Sequence, residues 1–461
     1  MFKKILIANR GEIARRVLRA CRELGIETVA VYSEADADSP HLEEADERVC
    51  IGGPKSEESY LDMTAILQAA EQTEAQAIHP GYGFLSENAL FAELCGQMKI
   101  TFIGPPPRVI RLMGDKATAR RTMAEAGLPL IPGSEGVVAD EREGLEIARR
   151  IELPVLLKAT AGGGGKGIRV CRDEASLARA FGEASLEAQK AFGDPGLYIE
   201  RLIEGGRHVE FQFIADAFGE VVHLGERECS VQRDHQKLLE EAPSPAVDEA
   251  TRREMGEKVR RAVAAIGYVG AGTMEFLRDR DGRLYFLEIN TRLQVEHPVT
   301  ELVTGLDLVK EQIRIAANAR LSWKQEQIRL SGHAIECRIN AEDPSAGFRP
   351  SPGLVTRFEP PSEVVGARVR VDTHVRSGYR IPVYYDSLLC KLIVAADDRE
   401  KARLAMIDAL ERFQIEGIHT TIPAHLEVLR DSGFAAGDYD TGLVGRLLER
   451  EGTPKEPPPE R

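Results

Sequence analysis

A chain of 461 residues, 43% apolar and 29% charged, suggests roughly three domains of ordinary size with an ample core. Its 60 basic and 74 acidic side chains leave a net charge of −14, spread along the chain, which argues against nucleic acid or an anionic membrane surface as partner. Seven cysteines without a C-x-x-C signal neither a zinc ribbon nor a disulfide framework and fit a reducing cytoplasm, while no apolar run is long enough for a signal peptide or a membrane span.

Lys4–Ala8 reads as a short buried strand that Asn9-Arg10-Gly11 turns into a helix, Glu12–Leu24. Strand Glu27–Ser33, helix Tyr60–Glu71, strand Ala77–Pro80 and strand Lys99–Ile103 follow. Strands alternating with helices predict a parallel, doubly wound α/β domain. Ligands on such sheets bind beyond the carboxyl ends of the strands, so Asn9–Gly11 and Gly81–Ser86 lie on the functional edge. The first turn has one glycine and no G-x-G-x-x-G, which rejects a dinucleotide site there. Tyr82 reads equally as a loop aromatic packed on its own domain or as a site residue.

Gly104-Pro105-Pro106-Pro107 looks like a domain boundary, and Asp115 is a plausible N-cap for a helix ending at Gly127. Strands Leu153–Thr160 and Ile168–Arg172 flank Ala161-Gly162-Gly163-Gly164-Gly165-Lys166-Gly167. The run formally matches G-x-G-x-x-G, but a strand follows rather than a helix, and no Ser or Thr follows Lys166 as a Walker loop requires. It reads as a mobile hairpin lid whose bare N–H groups can lie along phosphates, with Lys158 aimed at the same anion. Tyr198–Ile203 and His208–Ile214 are further strands. Beyond them Arg233, His235 and Lys237 recur at period two after Gln232, which predicts a cationic face and an anion site. Helix Thr251–Ile266 carries Met255, Val259, Val263 and Ile266 on one core-facing stripe.

Asp281-Gly282 sits between two apolar-aromatic runs, the signal for a two-residue type I′ turn. Arg280 would then face Arg283, and Glu275 would lie directly across from Glu288. Opposed carboxylates about 5 Å apart at Cβ repel, and a divalent cation between them removes the conflict. Asn290 adds a neutral oxygen, giving the hard-oxygen set of Mg²⁺ or Mn²⁺. Glu288, Asn290, Arg292, Gln294 and Glu296 alternate with apolar or β-branched residues, so an extended chain would place all five on one face. Helix Asp307–Ala317 follows. Strand His333–Asn340 puts Ile335, Cys337 and Ile339 on one face and Glu336, Arg338 and Asn340 on the other, where Arg338 reads as a surface residue or a ligand. Strands Leu354–Phe358, Arg368–Asp372 and Ser387–Ala395 and helix Arg399–Phe413 predict a C-terminal α+β domain, then a disordered Pro-rich tail from Gly452.

The segments I-A-N-R-G-E-I-A, H-P-G-Y-G-F-L-S-E-N, A-G-G-G-G-K-G, E-E-A-P-S-P, E-I-N-T-R-L-Q-V-E-H-P-V-T-E and E-C-R-I-N-A-E-D-P together resemble biotin carboxylase, an ATP-grasp ligase, over about residues 3–447. The resemblance implies an α/β plus α+β chain. An N-terminal doubly wound domain spans 1–114, an ATP-grasp domain 115–330 with a lid at about 131–203, and a C-terminal mixed α+β domain 331–447; 448–461 is a disordered tail. It also implies the activity: ATP phosphorylates bicarbonate to carboxyphosphate, and the carboxyl group moves to biotin on a biotin carboxyl carrier protein. That is the first half-reaction of acetyl-CoA carboxylase in fatty acid biosynthesis, or of a related carboxylase.

Carried over position by position, Lys116, Lys158, Gly162, Gly163, Gly164, Gly165, Glu200, Arg201, Leu202, Ile203, His208 and Gln232 would hold ATP, with His235 beside its ribose or phosphates. Glu275, Glu288 and Asn290 would hold the metal. Lys237, Arg292, Gln294 and Val295 would cradle bicarbonate, Glu296 would be its base, Arg338 would steady the biotin enolate and Tyr82 would line the biotin pocket. Asp234 stands where the family usually has a second Arg, Glu228 where Asp is common and Cys390 where Gly is common. No Met-Lys-Met biotin-attachment sequence occurs, so carrier and carboxyltransferase are expected on separate chains, beside the homodimer usual in the family.

Overall fold

The computed structural model describes residues 1–160 and 167–450. The glycine run Gly162–Gly165 with Lys166, read above as a lid, and the tail from Gly452 lie outside the described residues.

The first sheet contains β1 (Lys4–Ile7), β2 (Glu27–Tyr32), β3 (Glu47–Cys50), β4 (Ala77–His79) and β5 (Thr101–Phe102), all parallel, in the order β3-β2-β1-β4-β5. Alternate residues of β1 feed opposite cores. Ile5 and Ile7 pack with Ile13 and Val17 of helix Gly11–Glu23, while Leu6 packs with Val29, Val31 and Ile78. Burial on both faces is why this strand is an unbroken apolar run. The apolar-run criterion overlooks β3, an edge strand with a single large apolar residue. The helix expected from Tyr60 starts at Met63, because the Asp62 carboxylate accepts from the N–H groups of Thr64 and Ala65. Tyr60 is instead fully buried and donates its hydroxyl to Asp36 at 2.6 Å.

Strand order reverses between β1 and β4, and both predicted functional loops meet at that switch point. Asn9 Nδ2 donates to the carbonyls of Pro80 and Tyr82, each at 2.7 Å. Gly81 is required there. Its φ is +62°, and a Cβ would stand 3.0 Å from Asn9 Nδ2.

A three-stranded antiparallel sheet, β7-β6-β8, follows, from β6 (Val155–Ala159), β7 (Ile168–Cys171) and β8 (Leu197–Arg201). Helices Glu141–Ile151 and Glu174–Phe192, which the apolar pattern did not single out, cover it through a core of Ile147, Ile151, Leu157, Leu177 and Ile199.

The third sheet has eight strands: β9 (Arg207–Ala215), β10 (Val221–Arg233), β11 (Gln236–Ala242), β12 (Gly270–Arg278), β13 (Leu284–Asn290), β14 (His333–Asn340), and the strands Leu388–Ala396 and Arg368–Thr373. Their order is β13-β12-β9-β10-β11-β14, then Leu388–Ala396, then Arg368–Thr373. The β11–β14 ladder carries this sheet through residue 330 without a break. Ile335, Cys337 and Ile339 point away from the cleft into a core with Leu239, Met406 and Leu410. Met255, Val259, Val263 and Ile266 are buried as one stripe, as their spacing predicts.

Three local expectations change. The β12–β13 turn has three residues, not two: Asp279 N donates to Arg283 O at 2.9 Å, Gly282 N donates to Asp279 O at 3.1 Å, and Gly282 has φ +89°. The ladder therefore starts one residue out of phase, Arg278 opposite Leu284 and Phe276 opposite Phe286. Leu287 then bulges out, and Glu275 comes to lie opposite Glu288 after all.

The polar-faced strand ends at Asn290, because the Glu87 carboxylate takes the Thr291 N–H at 2.8 Å in place of a ladder partner. Arg292, Gln294 and Glu296 thus reach the site from a loop, not from a strand face. The cationic face also dissolves. Asp234 and His235, at φ +49° and +66°, form a two-residue turn that pairs Arg233 with Gln236. Arg233 packs over the Phe348 ring, His235 is exposed in the turn, and Lys237 alone reaches the interior.

Candidate active site

Lys237 Nζ is ringed by three buried carboxylates: Glu210 Oε2 at 2.6 Å, Glu296 Oε1 at 2.7 Å and Glu275 Oε1 at 3.0 Å. Burial works against its charge, but Glu210, Glu275 and Glu296 outweigh burial and hold the ammonium well above the usual lysine range. Glu296, despite burial, is held well below the usual carboxylate range by Lys237, Arg338 and Arg227. Arg338 Nη2 donates to its other oxygen at 2.9 Å and also touches Glu240.

Beneath this group lies Arg227, whose guanidinium is fully buried. It donates to Glu210 at 2.6 Å, to Gln212 and Gln294 at 2.8 Å, to Thr300 at 2.9 Å and to Thr273 at 3.2 Å. A buried cation satisfied this completely fixes the side chains around it. Neither Arg227 nor Glu210 stands out in the sequence reading. The signal available was polar residues alternating inside the apolar strand H-V-E-F-Q-F-I.

Glu275 also accepts from Asn290 Nδ2 at 3.0 Å and Gln294 Nε2 at 2.9 Å, and its Oε2 lies 3.1 Å from His208 Nε2. Gln232 Nε2 meets His208 Nδ1 at 2.8 Å. Burial opposes the Glu275 charge, yet Lys237 and His208 hold it well below the usual range. Across the ladder, Glu288 opens to the cleft, and burial of its carboxyl together with the facing Glu275 pushes it above the usual range. Asn290 Oδ1 accepts from Arg292 Nη2 at 2.9 Å. Among the described residues the tightest gatherings of ligand atoms are His208–Glu210–Glu275 and Glu210–Cys229–Glu296, both claimed by the Lys237 ammonium. The opposed pair Glu275 and Glu288 is different. Its conflict of charge and its oxygen-only donors fit a hard divalent cation.

Arg292 is half-buried and donates from Nε to Glu87 at 2.9 Å. The Val295 carbonyl accepts from Lys391 Nζ at 2.9 Å, and the same ammonium lies 3.1 Å from Glu12. Tyr82 donates its hydroxyl to Glu12, whose carboxyl burial raises to about 6. A cavity of about 500 Å³ joins these parts, lined among others by Asn9, Tyr82, Arg292, Val295, Arg338 and Tyr385.

A second group gathers across β6, β8 and β13. Glu200 is buried between Lys158 and Arg120, the latter from helix Lys116–Glu125, which packs on β13. Lys116 is exposed at the start of that helix, and its charge acts on Glu288. Asp115 caps the helix as its position predicts. Arg201 donates to the Tyr285 hydroxyl at 2.9 Å, and half-buried Leu202 and Ile203 continue the chain beyond β8. Lys116, Lys158, Glu200, His208 and Glu288 thus share one side of the cleft, and Tyr82, Arg292, Val295 and Arg338 share the other. His235 stays apart in its exposed turn.

Of the three departures, Glu228 is buried and accepts from Ser244 at 2.6 Å and Arg207 at 3.2 Å. Cys390 is buried behind Lys391, and Asp234 occupies a left-handed turn position that Asp tolerates well.

Three family descriptions match in sequence: "Biotin carboxylase, N-terminal domain" over residues 1–110, "Carbamoyl-phosphate synthase L chain, ATP binding domain" over 115–324 and "Biotin carboxylase C-terminal domain" over 336–446. The biotin carboxylase of Nostoc sp. is 56% identical over 97% of this chain and 99% of its own length. Biotin carboxylase 1 of Bacillus subtilis is 55% identical over 96% and 98%. Among solved structures, the biotin carboxylase domain dimer of Hydrogenobacter thermophilus 2-oxoglutarate carboxylase, in complex with MgADP, ADP and bicarbonate, superposes with a TM-score of 0.90 at 51% identity, covering 97% of this chain and 99% of that one. The Campylobacter jejuni biotin carboxylase bound to a β-γ-ATP ligand gives 0.91 at 49%, with the same coverage.

Proposed function

The chain belongs to the biotin carboxylase family, and from that premise we propose how its residues divide the work of ATP-dependent biotin carboxylation. The activity is that of a ligase: ATP and Mg²⁺ activate bicarbonate as carboxyphosphate, and the carboxyl group passes to biotin. The observation that carries our division of labour is Glu296, gripped by Lys237 on one oxygen and Arg338 on the other.

Lys237, Arg292, Gln294 and the backbone of Val295 receive bicarbonate. Glu296, ionised at neutral pH because its cations hold it low, takes the bicarbonate proton. The freed oxyanion attacks the γ-phosphate and ADP leaves. Arg338 remains beside the vacated position to steady the biotin enolate, with Tyr82 on the facing wall. Glu275 and Glu288, with Asn290, are the residues that would hold Mg²⁺, which when bound neutralises phosphate charge. Lys116, Lys158, Glu200 to Ile203, His208 and Gln232 form the nucleotide side, with His235 at its rim.

We assign residues 1–114, 115–330 and 331–447 to the N-terminal, ATP-grasp and C-terminal units. The biotin is taken to be carried on a carrier protein and passed to a carboxyltransferase, by a homodimer in the cytoplasm. Support comes from the dimer seen for the Hydrogenobacter domain, from free thiols at every described cysteine and from the lack, among the described residues, of a helix able to cross a membrane. Phosphate release from ATP, measured with and without bicarbonate and free biotin, tests the reading. Release that ignores bicarbonate would overturn it.

A further inference from the structure

Two buried acids take no part in the chemistry above. Glu240 on β11 and Glu336 on β14 are direct partners across the antiparallel ladder, and both are fully buried. Glu240 makes a close ion pair with Arg338 through one oxygen, and the other three carboxylate oxygens have no hydrogen-bond partner among the described residues. Buried polar atoms are almost always satisfied, so three orphan oxygens at one point need a reason.

Charged neighbours face the pair from every side. Arg338 and Glu296 act on both acids, Lys237 acts on Glu240, and Lys391, from strand Leu388–Ala396, acts on Glu336. His297, on the helix His297–Thr304 that packs against β14, is kept neutral by burial and by Lys391. The reverse face of β14 is apolar, through Ile335, Cys337 and Ile339. Among the described residues no donor reaches the pair from that side.

We propose that Glu240 and Glu336 share a single proton, and that the resulting monoanion is a positioning device for Arg338 and, through it, Glu296. One proton turns two mutually repelling acceptors into a donor and an acceptor, which satisfies the orphan oxygens and removes one negative charge. Burial pushes Glu240 up to about 7 and Glu336 well above the usual carboxylate range, in keeping with a retained proton. The functional consequence rests on the reading of Arg338 as the cation that meets biotin. When Glu296 accepts the bicarbonate proton, Arg338 loses one of its two anions and the pair still holds it. With both acids ionised, three carboxylates would compete for one guanidinium and cancel the charge it offers the enolate.

The test combines infrared spectroscopy with kinetics on the whole chain. Wild-type protein at pH 7 should show a protonated-carboxyl C=O band, lost by pH 9 and missing from both Glu240→Gln and Glu336→Gln. Glu240→Gln should raise the biotin KM about tenfold and leave the ATP KM within about twofold, with partial recovery in Glu240→Asp. Glu336→Gln, which copies the protonated acid in shape and cannot form the dianion, should lose the alkaline inflection of the pH–activity profile. A band that survives in both variants, or biotin and ATP KM values that rise in parallel, would overturn the proposal. Wild-type ATP turnover that ignores bicarbonate would instead sink the functional reading, and the infrared result would stand by itself.

Discussion

One eight-stranded sheet sets glutamates directly opposite one another at several places, Glu210 with Glu275 and Glu228 with Glu241 among them, and it treats two of the other pairs in opposite ways. Glu275 faces Glu288 across β12 and β13; Glu240 faces Glu336 across β11 and β14. In the first pair Glu275 is saturated by Lys237, Asn290, Gln294 and His208, and Glu288 opens to the cleft. In the second both acids are sealed, and Arg338 is paired with Glu240. The repulsion is the same in kind, but access decides its remedy. A pair that faces the cleft can recruit a metal ion, whereas a sealed pair has only a proton available. The same arrangement thus serves as a binding site in one place and as a mount in the other.

The most damaging way to break this contrast is Glu288→Gln. A lone Glu275, already tied to protein donors, cannot hold a cation against nucleotide phosphates, and turnover of Mg·ATP should fall at least ~10²-fold. Turnover near wild type in saturating Mg²⁺ would remove the metal role from this pair. Arg292→Ala should raise the bicarbonate KM or lower kcat by about tenfold and leave nucleotide affinity within about twofold, because Arg292 sits on the bicarbonate side. Separate measurement of nucleotide binding decides this, and equal losses would make Arg292 structural.

Glu336→Gln sharpens the comparison through stability. A carboxyl whose pKa is raised on folding keeps its proton where the unfolded chain has lost it, so stability falls as pH rises from about 4.5 to about 7. Relieving the pair should therefore stabilise the fold at pH 8, by about 1–2 kcal/mol, and leave it little changed at pH 4. Denaturant titrations at the two pH values measure the difference; an equal gain at both would mean the proton is not involved. The smallest effect belongs to Asp234→Arg, which reverses an exposed charge at the β10–β11 turn beside Lys237. Solvent screening should hold any change in bicarbonate KM under about twofold, and strain at φ +49° should cost less than about 1 kcal/mol.

The sequence discloses these sites unevenly, for physical reasons. The parallel domain was legible because doubly buried strands leave unbroken apolar runs, and the Asp-Gly turn announced the β12–β13 hairpin. Convergence of Arg292, Gln294 and Glu296 was also legible, although its stated cause was not: Glu87, far away in the chain, ends the strand and turns the loop inward. Lys237 was noticed as a cation, but its carboxylate ring comes from β9, β12 and the loop before His297, which no local pattern joins. Arg227 was invisible for the same reason. The large sheet runs across the division that the resemblance implies at residue 330, through the non-local β11–β14 pairing, which no local pattern announces.

The bulge at Leu287 carries a consequence for insertions and deletions. Twelve residues separate Glu275 from Glu288, an even number, whereas a three-residue turn joins strand partners separated by an odd number. Leu287 absorbs the difference in parity. A relative with one residue fewer in this stretch could keep the same turn and the same opposed acids on an unbroken ladder. Removing two residues restores an even number, so a bulge is again required, on a hairpin one rung shorter. Length variation in this hairpin therefore alternates between a bulged and an unbroken ladder, with the acids opposed in both.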